Sequence, residues 1–484
     1  MRLIRRKTLQ LVQSLALLVA LLISTACTPA LPPPERPLTG DRTFSEAGEI
    51  PRQERWWLLF GDATLTRLID QAHRDNLTLQ IAWNRLDSTA AIMRKSRSGF
   101  FPTLDLQASA TTSRTETAGT RVDTDQYGVG LAASYELDLW GRVRAAYNAA
   151  DFSYRATAED LRTAYQSMTA EVAATWYRLV EQYGQQEILH QQLDINSKTL
   201  ELIDLQFRTG KVGIADILQQ KQLIERNRGE LAQVAANITV LANSLAVLLA
   251  REPGQLGPLE PGTFSSLPPL PATGLKAELL ERRPDIRAAW LSVLATNQQT
   301  RAAMADRFPK LSLGVTAEST AAELGNLFDD WTARLFASLV GPLIDGGRRR
   351  AEVERTRALT EEALNLYSLK VLGAIAEVEE ALTREQRQNE YLASLEKQLG
   401  LAEQATQLIR NRYTKGAEEY QRVLASILSQ QTLQRSVLTA RRELYEYRIA
   451  LYRALGGSWD ITRPEDATGR DAGRVMVQKN RGSI

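Results

Sequence analysis

Few residues of this chain could do chemistry. His73 and His190 lie far apart and Cys27 is the one cysteine, so no cluster has metal-ligand spacing and no thiol pair can form. Gly128-Val129-Gly130 has the look of a phosphate-cradling turn, but it lies inside an alternating segment and opens no helix. No nucleophile and base stand in a catalytic spacing, and neither a metal nor an organic cofactor is expected. Lys plus Arg (59) nearly balances Asp plus Glu (57), which gives no electrostatic case for nucleic acid. The composition, 44% hydrophobic and 24% charged, is that of a globular chain rather than a multi-span helical or disordered one. What remains is a single thiol and its context.

Cys27 follows a basic start (MRLIRRK), an apolar run over residues 9–23 too short to span a bilayer, and the small residues Ser24-Thr25-Ala26. The segment resembles a bacterial lipoprotein signal peptide, which implies acylation of Cys27; Ser24 stands where such signals usually carry Leu. Ordinary cleavage after Ala26 with an unmodified Cys27 is the alternative reading. Thr28, rather than Asp, after the cysteine is similar to sorting toward the outer membrane. Residues 27–55 are Pro-rich and polar, an extended tether rather than a domain.

Proline maps the elements beyond the tether. None occurs from residue 103 to 252 or from 343 to 463. Proline inside a helix costs about 3 kcal/mol, so these tracts, rich in Ala, Leu, Glu, Gln and Arg, predict very long helices. The tracts are copies of each other. Trp83 recurs as Trp290, Phe101-Pro102 as Phe308-Pro309, Gly141-Arg142 as Gly347-Arg348, and Phe207-Arg208-Thr209-Gly210 as Tyr413-Thr414-Lys415-Gly416. A spacing of 207 for the first two landmarks and 206 for the last two, a difference of one deleted residue, marks an internal duplication. The expected organisation is a signal peptide (1–26), the tether (27–55), a first repeat (56–255), a second repeat (256–460) and a polar tail (461–484).

Each repeat predicts a helix (77–99 and 284–306), then two strands (about 103–115 and 126–139; about 310–320 and 331–342). In the first, Leu104, Leu106, Ala108 and Ala110 alternate with Asp105, Gln107 and Ser109. Period two over this length suits a strand with one face to lipid and one to water. In the last, Phe336 breaks the alternation. A long helix from Gly141 to Phe207 follows. Leu189, Leu193, Asn196, Leu200, Ile203 and Phe207 keep a seven-residue rhythm along it. It closes at Gly210, and a return helix runs from about 216 to 251. The second repeat does the same, with its tip at Gly416. Shorter helices are expected near 62–75 and 275–281, with Trp56 and Trp57 packing beside them. The fold class is therefore an internally duplicated chain of long α-helical hairpins carrying four strands of a membrane β-barrel.

Tyr135-Glu136-Leu137-Asp138-Leu139-Trp140-Gly141-Arg142, Arg282-Arg283-Pro284-Asp285-Ile286, Phe308-Pro309-Lys310-Leu311 and Gly341-Pro342-Leu343-Ile344-Asp345-Gly346-Gly347-Arg348 resemble, in that order, motifs of the TolC-like outer-membrane efflux family, lipoprotein branch. The resemblance covers nearly the whole mature chain. It implies a homotrimer whose protomers give four strands each to a twelve-stranded barrel, continued by a periplasmic helical tunnel. It also implies outer-membrane lipid around the barrel, a periplasmic adaptor and a proton-driven inner-membrane pump as partners, and small-molecule efflux as the function. Arg208, Thr209, Gly210, Lys211, Tyr413, Thr414, Lys415 and Gly416 fall where the family docks its adaptor. Asp216 falls where the family places acidic gate residues; Arg422, at the equivalent place in the second repeat, departs from that pattern and suggests an Asp216–Arg422 ion-pair gate. Both charges as solvated helix surface, worth little, is the competing reading. A type I secretion duct and a pore-free periplasmic coiled-coil lipoprotein are the alternative functions.

Overall fold

The computed structural model describes residues 54–257 and 262–457, apart from 118, 265 and 275, together with residues 34, 35, 43–46, 48, 259, 461 and 463. The signal segment and Cys27 lie outside the described residues. The elements repeat in register. A 3-10 turn (Trp56–Phe60) and α1 (Ala63–Asp75) lead into α2 (Leu77–Ser98), β1 (Thr103–Thr117), β2 (Thr120–Leu137), α3 (Arg142–Arg208) and α4 (Ile214–Leu248). A short turn (Leu279–Arg282) then precedes α5 (Pro284–Ala305), β3 (Lys310–Ala321), β4 (Thr332–Val340), α6 (Arg348–Thr414) and α7 (Tyr420–Leu455). α3 and α6 are each 67 residues long, and α2 and α5 each 22. At 1.5 Å per residue α3 and α6 each extend about 100 Å.

Two compact units cut across the repeats. One is built on Asn84–Ala158 and Ala288–Leu369, the other on Thr39–Trp83, Glu159–Arg287 and Lys370 onward. The first holds one antiparallel sheet in the order β1-β2-β3-β4. β2 begins six residues before the expected 126, because a polar hairpin ladder continues up to the Thr117↔Thr120 pair. Where strand becomes helix, both repeats use an aspartate as cap. Asp138 accepts from the N–H groups of Val143 (2.9 Å) and Arg144 (2.8 Å), and Asp345 from those of Gly347 (3.1 Å) and Arg349 (3.3 Å). Gly141 (φ 77°) and Gly347 (φ 84°) supply left-handed backbone at these corners.

The second unit packs four long helical segments. α4 returns along α3, and Asn237 bonds Gln182 at 3.2 Å. α7 lies against α3 through Arg178–Glu446 (2.6 Å) and Arg442–Glu181 (3.0 Å). It lies against α6 through the buried Arg448–Glu385 pair. α4 and α6 stand at the two ends of this contact order, and Arg435 of α7 also reaches Glu230 of α4 at 2.6 Å. Along α4 no charge occurs between Glu230 and Arg251, yet Val240 and Val247 are exposed.

The core gathers on the 3-10 turn and α1. Trp56 and Trp57 are buried, Trp56 stacks on Tyr452 at 5.2 Å, and the Trp176 indole donates to Asp62 at 2.6 Å. His73 sits here, bonded to Thr169 at 2.8 Å between the rings of Trp57 and Tyr165. Burial, reinforced by the charge of Arg55, lowers its pKa to about 4. An unfolded histidine titrates near 6.5, so between these values the unfolded chain binds the extra proton and stability falls as pH falls. Stability against thermal unfolding should therefore fall between pH 7 and pH 4 by up to about 3 kcal/mol from this group. His73→Gln, compared at both pH values, should lose that part of the dependence.

Candidate functional site

The sheet has two chemically distinct faces, and the register builds them row by row. On one face Leu104, Ala133, Val315 and Leu335 lie side by side, as do Leu106, Leu131, Ala317 and Ala333. Leu137, Leu311 and Leu339 extend this face toward the helices. On the other face Asp105, Ala132, Thr316 and Arg334 form one row and Gln107, Gly130, Glu318 and Thr332 the next. Leu104, Leu106 and Leu335 are 68–79% exposed. Exposed leucines in ranks on one face and charges on the other describe a sheet with lipid on one side and water on the other.

The apolar face also marks where the hydrocarbon ends. Beyond the Ala110↔Tyr127 pair the same face carries Thr112 and Asp125, then Arg114 and Asp123, ion-paired at 2.6 Å. From Leu137 to Tyr127 a tilted strand spans about 25 Å, the height of an outer-membrane apolar band. At the other boundary Trp140 stacks on Phe308 at 4.7 Å and donates to the Pro309 carbonyl at 2.7 Å. Phe336, the break in alternation, lies on the polar face directly over Gly314. A Cβ at Gly314 would come 2.2 Å from that ring, so the aromatic fills the space a side chain would take. The outer edges of β1 and β4 have no strand partner among the described residues.

The second candidate site is the pair of hairpin tips. Both end the same way. Gly210 (φ 71°) and Gly416 (φ 74°) are left-handed; Lys211 N–H reaches back to Gln206 O and Ala417 N–H to Arg412 O, each at 2.9 Å. This closure accounts for the two glycines by backbone chemistry. Arg208 pairs with Asp204 at 2.7 Å, and the hydroxyls of Thr209 and Thr414 bond back to Gln206 O (2.9 Å) and Asn411 O (3.0 Å). Thr209, Lys211, Thr414 and Lys415 are exposed.

Asp216 caps the start of α4, accepting from Gly213 N–H at 3.1 Å. Arg422 pairs with Glu418 at 3.1 Å, and Arg412 approaches the same carboxylate at 3.6 Å. Among the described residues no ion pair joins Asp216 to Arg422 within the chain; the tips are brought together by other groups. Ile203, Ile217, Tyr420, Val423 and Ile427 form a shared apolar cluster. Tyr413 donates to Gln206 Oε1 at 2.6 Å and Tyr420 to Gln220 Oε1. Gln220 Nε2 donates in turn to Asn196 O at 2.6 Å, and Gln431 Nε2 to Asn196 Oδ1 at 3.2 Å. Burial raises both tyrosine pKa values, and the nearby Asp216 charge adds to it. Both phenols therefore stay protonated and donating.

Sequence reasoning missed these two tyrosine–glutamine bonds. The signal available was Asn196, an amide at a core position of an otherwise apolar heptad. It also missed what Arg283 does within its motif. Asn76 Nδ2 caps Leu248 O at 2.7 Å and Arg283 Nη1 caps Ala454 O at 3.0 Å, so repeat-equivalent side chains close α4 and α7. Arg283 also grips Asp285 (2.9 Å) and Glu377 (2.7 Å). Tyr420→Phe should strand the buried Gln220 oxygen at a local cost of about 1–3 kcal/mol. Amide exchange of residues 214–228 should accelerate about tenfold or more, while the residues around Trp56 stay unchanged.

The family described as outer membrane efflux protein matches this chain twice, over residues 68–251 and again over 275–457. The solvent efflux pump outer membrane protein SrpC of Pseudomonas putida is 30% identical over 415 residues, covering 84% of this chain and 87% of that one. The pyoverdine export outer membrane protein OpmQ of Pseudomonas aeruginosa is 29% identical over 470 residues, covering 93% and 98%. The solved outer-membrane channel OprN superposes with a TM-score of 0.80 at 27% identity, covering 88% of this chain and 99% of that one. With its paired long hairpins, its two-faced sheet and a family match spanning both repeats, the chain belongs to the outer membrane efflux protein family and acts as an outer-membrane efflux component.

Proposed function

We propose that three copies of this chain close into one duct that passes small molecules from an inner-membrane pump, through a periplasmic adaptor, across the outer membrane. The observation that carries the reading is the sheet: four strands with a lipid face, a wet face and two unpartnered edges. Open edges in hydrocarbon leave backbone groups unsatisfied, at several kcal/mol each, and only closure removes them. β1 of one copy pairing antiparallel with β4 of the next closes twelve strands around a threefold axis. The same operation sets α4 and α6 of neighbouring copies side by side, covering the exposed uncharged stretch of α4. SrpC and OpmQ, named for solvent and pyoverdine export, make small molecules the cargo class.

Arg208, Thr209, Gly210, Lys211, Tyr413, Thr414, Lys415 and Gly416 form the adaptor-docking tips. Asp216 and Arg422 act between neighbouring copies, where the exposed Arg422 of one tip meets Asp216 of the next and holds the tips closed. Single-channel recording in planar bilayers tests both ideas. Wild-type trimer should conduct weakly, with conductance rising severalfold in Asp216→Ala and in Arg422→Ala. Equal conductance in all three would keep the duct and remove the gate; a folded trimer without conductance in any of them would remove the duct.

Cys27 carries the acyl anchor. Metabolic labelling with palmitate should mark the wild-type protein and leave Cys27→Ala unlabelled. A labelled Cys27→Ala, or an unlabelled wild type, would overturn the anchor.

A further inference from the structure

The helix ends on the periplasmic side of the sheet carry a segregated positive charge. Its acidic neighbours are already committed. Glu136 holds Arg142 at 2.7 Å, Asp306 holds Lys310 (2.8 Å) and Arg349 (3.0 Å), and Glu352 holds Arg355 at 2.7 Å. Asp138 and Asp345 cap α3 and α6. Arg94, Lys95 and Arg97 at the end of α2, and Arg348 at the start of α6, are exposed and hold no ion pair among the described residues. Among the described residues Arg350 holds only Glu354 at 3.0 Å, with 82% of the arginine side chain and 62% of the glutamate exposed, a pair that water screens.

These cations lie where β1 begins and β4 ends, and those are the two unpartnered edges. β1 starts opposite Ser134 of β2 and β4 ends opposite Lys310 of β3, so both edges meet their helices at the same end of the sheet. Closing β1 on a neighbour's β4 brings two strands to about 4.8 Å. That contact draws Arg94, Lys95 and Arg97 of one copy toward the partner subunit's Arg348 and Arg350. Like charges gathered at a seam repel unless an anion lies between them.

The position identifies the anion. Shortly before Arg348, Leu343 and Ile344 are 98% and 96% exposed. Phe101, beside the start of β1, is 58% exposed. An exposed apolar pair that ends four residues before Arg348, and an aromatic that follows Arg97 by four, match acyl chain beside phosphate. We propose that each seam between copies binds the phosphate headgroup of an anionic phospholipid of the inner leaflet. Arg94, Lys95 and Arg97 come from one copy and Arg348 and Arg350 from the next, with Leu343 and Ile344 against the acyl chains. The site rests on the trimeric reading above.

Native mass spectrometry of the purified trimer tests it, after reconstitution in vesicles of phosphatidylcholine with equal phosphatidylglycerol. Wild type should retain phosphatidylglycerol over phosphatidylcholine by about tenfold. Glutamine at the five cationic positions should bring that ratio near one. Replacing Arg114 and Arg121, at the opposite end of the sheet, should leave it unchanged. A wild-type trimer without preference, or a preference surviving all five substitutions, would overturn the site. If the five-residue variant fails to assemble, Arg94→Gln with Arg348→Gln is read in its place, under the same criteria. A wild-type protein that is folded but never trimeric would sink the assembly itself, a result distinguishable from loss of lipid selectivity.

Discussion

Backbone groups on the outer edges of β1 and β4 set the terms for everything else in this protein. In water an unpaired strand edge is a nuisance; in hydrocarbon each free N–H and C=O costs several kcal/mol, and no side chain on a lipid face can compensate. The chain does not protect these edges as soluble proteins do. β1 is long and regular, β4 carries Leu335 and Leu339 on its lipid face, and neither holds a proline. Edges left clean in this way are built for pairing. Capping the strands with 67-residue helices follows from the same logic, since each strand must hand its direction to an element rigid enough to keep four strands in one register.

Much of this was legible in the residues because membrane strands and long coiled coils leave periodic signals. Period two located β1, β3 and β4 to within two residues and β2 except for its start, and proline-free tracts located α3, α4, α6 and α7. The strand limits that moved did so for a physical reason. β2 begins at Thr120 because the hairpin past Tyr127 is held by the Arg114–Asp123 ion pair and backbone bonds rather than by an apolar face, so it carries no alternation to read. Phe336 is the converse case. Its apparent fault in the pattern makes sense only once Gly314 is known to lie opposite, and pairing across strands is invisible to a linear scan.

At the tips, spacing selected two charges but not the contacts. Counting six residues from each glycine selected Asp216 and Arg422, and the structure gives each a local partner in Gly213 and Glu418. The bonds that join one tip to the other use Tyr413, Tyr420, Gln206 and Gln220, residue types with no strong sequence signature of their own. Amides and phenols become informative only where burial removes water as the competing partner. Burial at a tip depends on two segments about two hundred residues apart meeting, so distance in sequence hid the network.

The duplication also explains where the two halves were kept alike and where they were allowed to differ. Asp138 and Asp345 perform one cap, Asn76 and Arg283 another, and Gly210 and Gly416 a third. All three are demands of backbone geometry, which any copy of the hairpin must meet. Side chains that reach across to the other copy face no such symmetry. Tyr413 stands where the first repeat has Phe207, and it donates to Gln206 beside that phenylalanine. A donor needs an acceptor opposite, so two identical tips bearing only one of these groups would leave it unpaired when they meet. Divergence at the tips is thus one way a duplicated chain fastens its own halves together, added to the ion pairs that hold α7 on α3 farther along the hairpins and placed where the fewest neighbours exist to replace it.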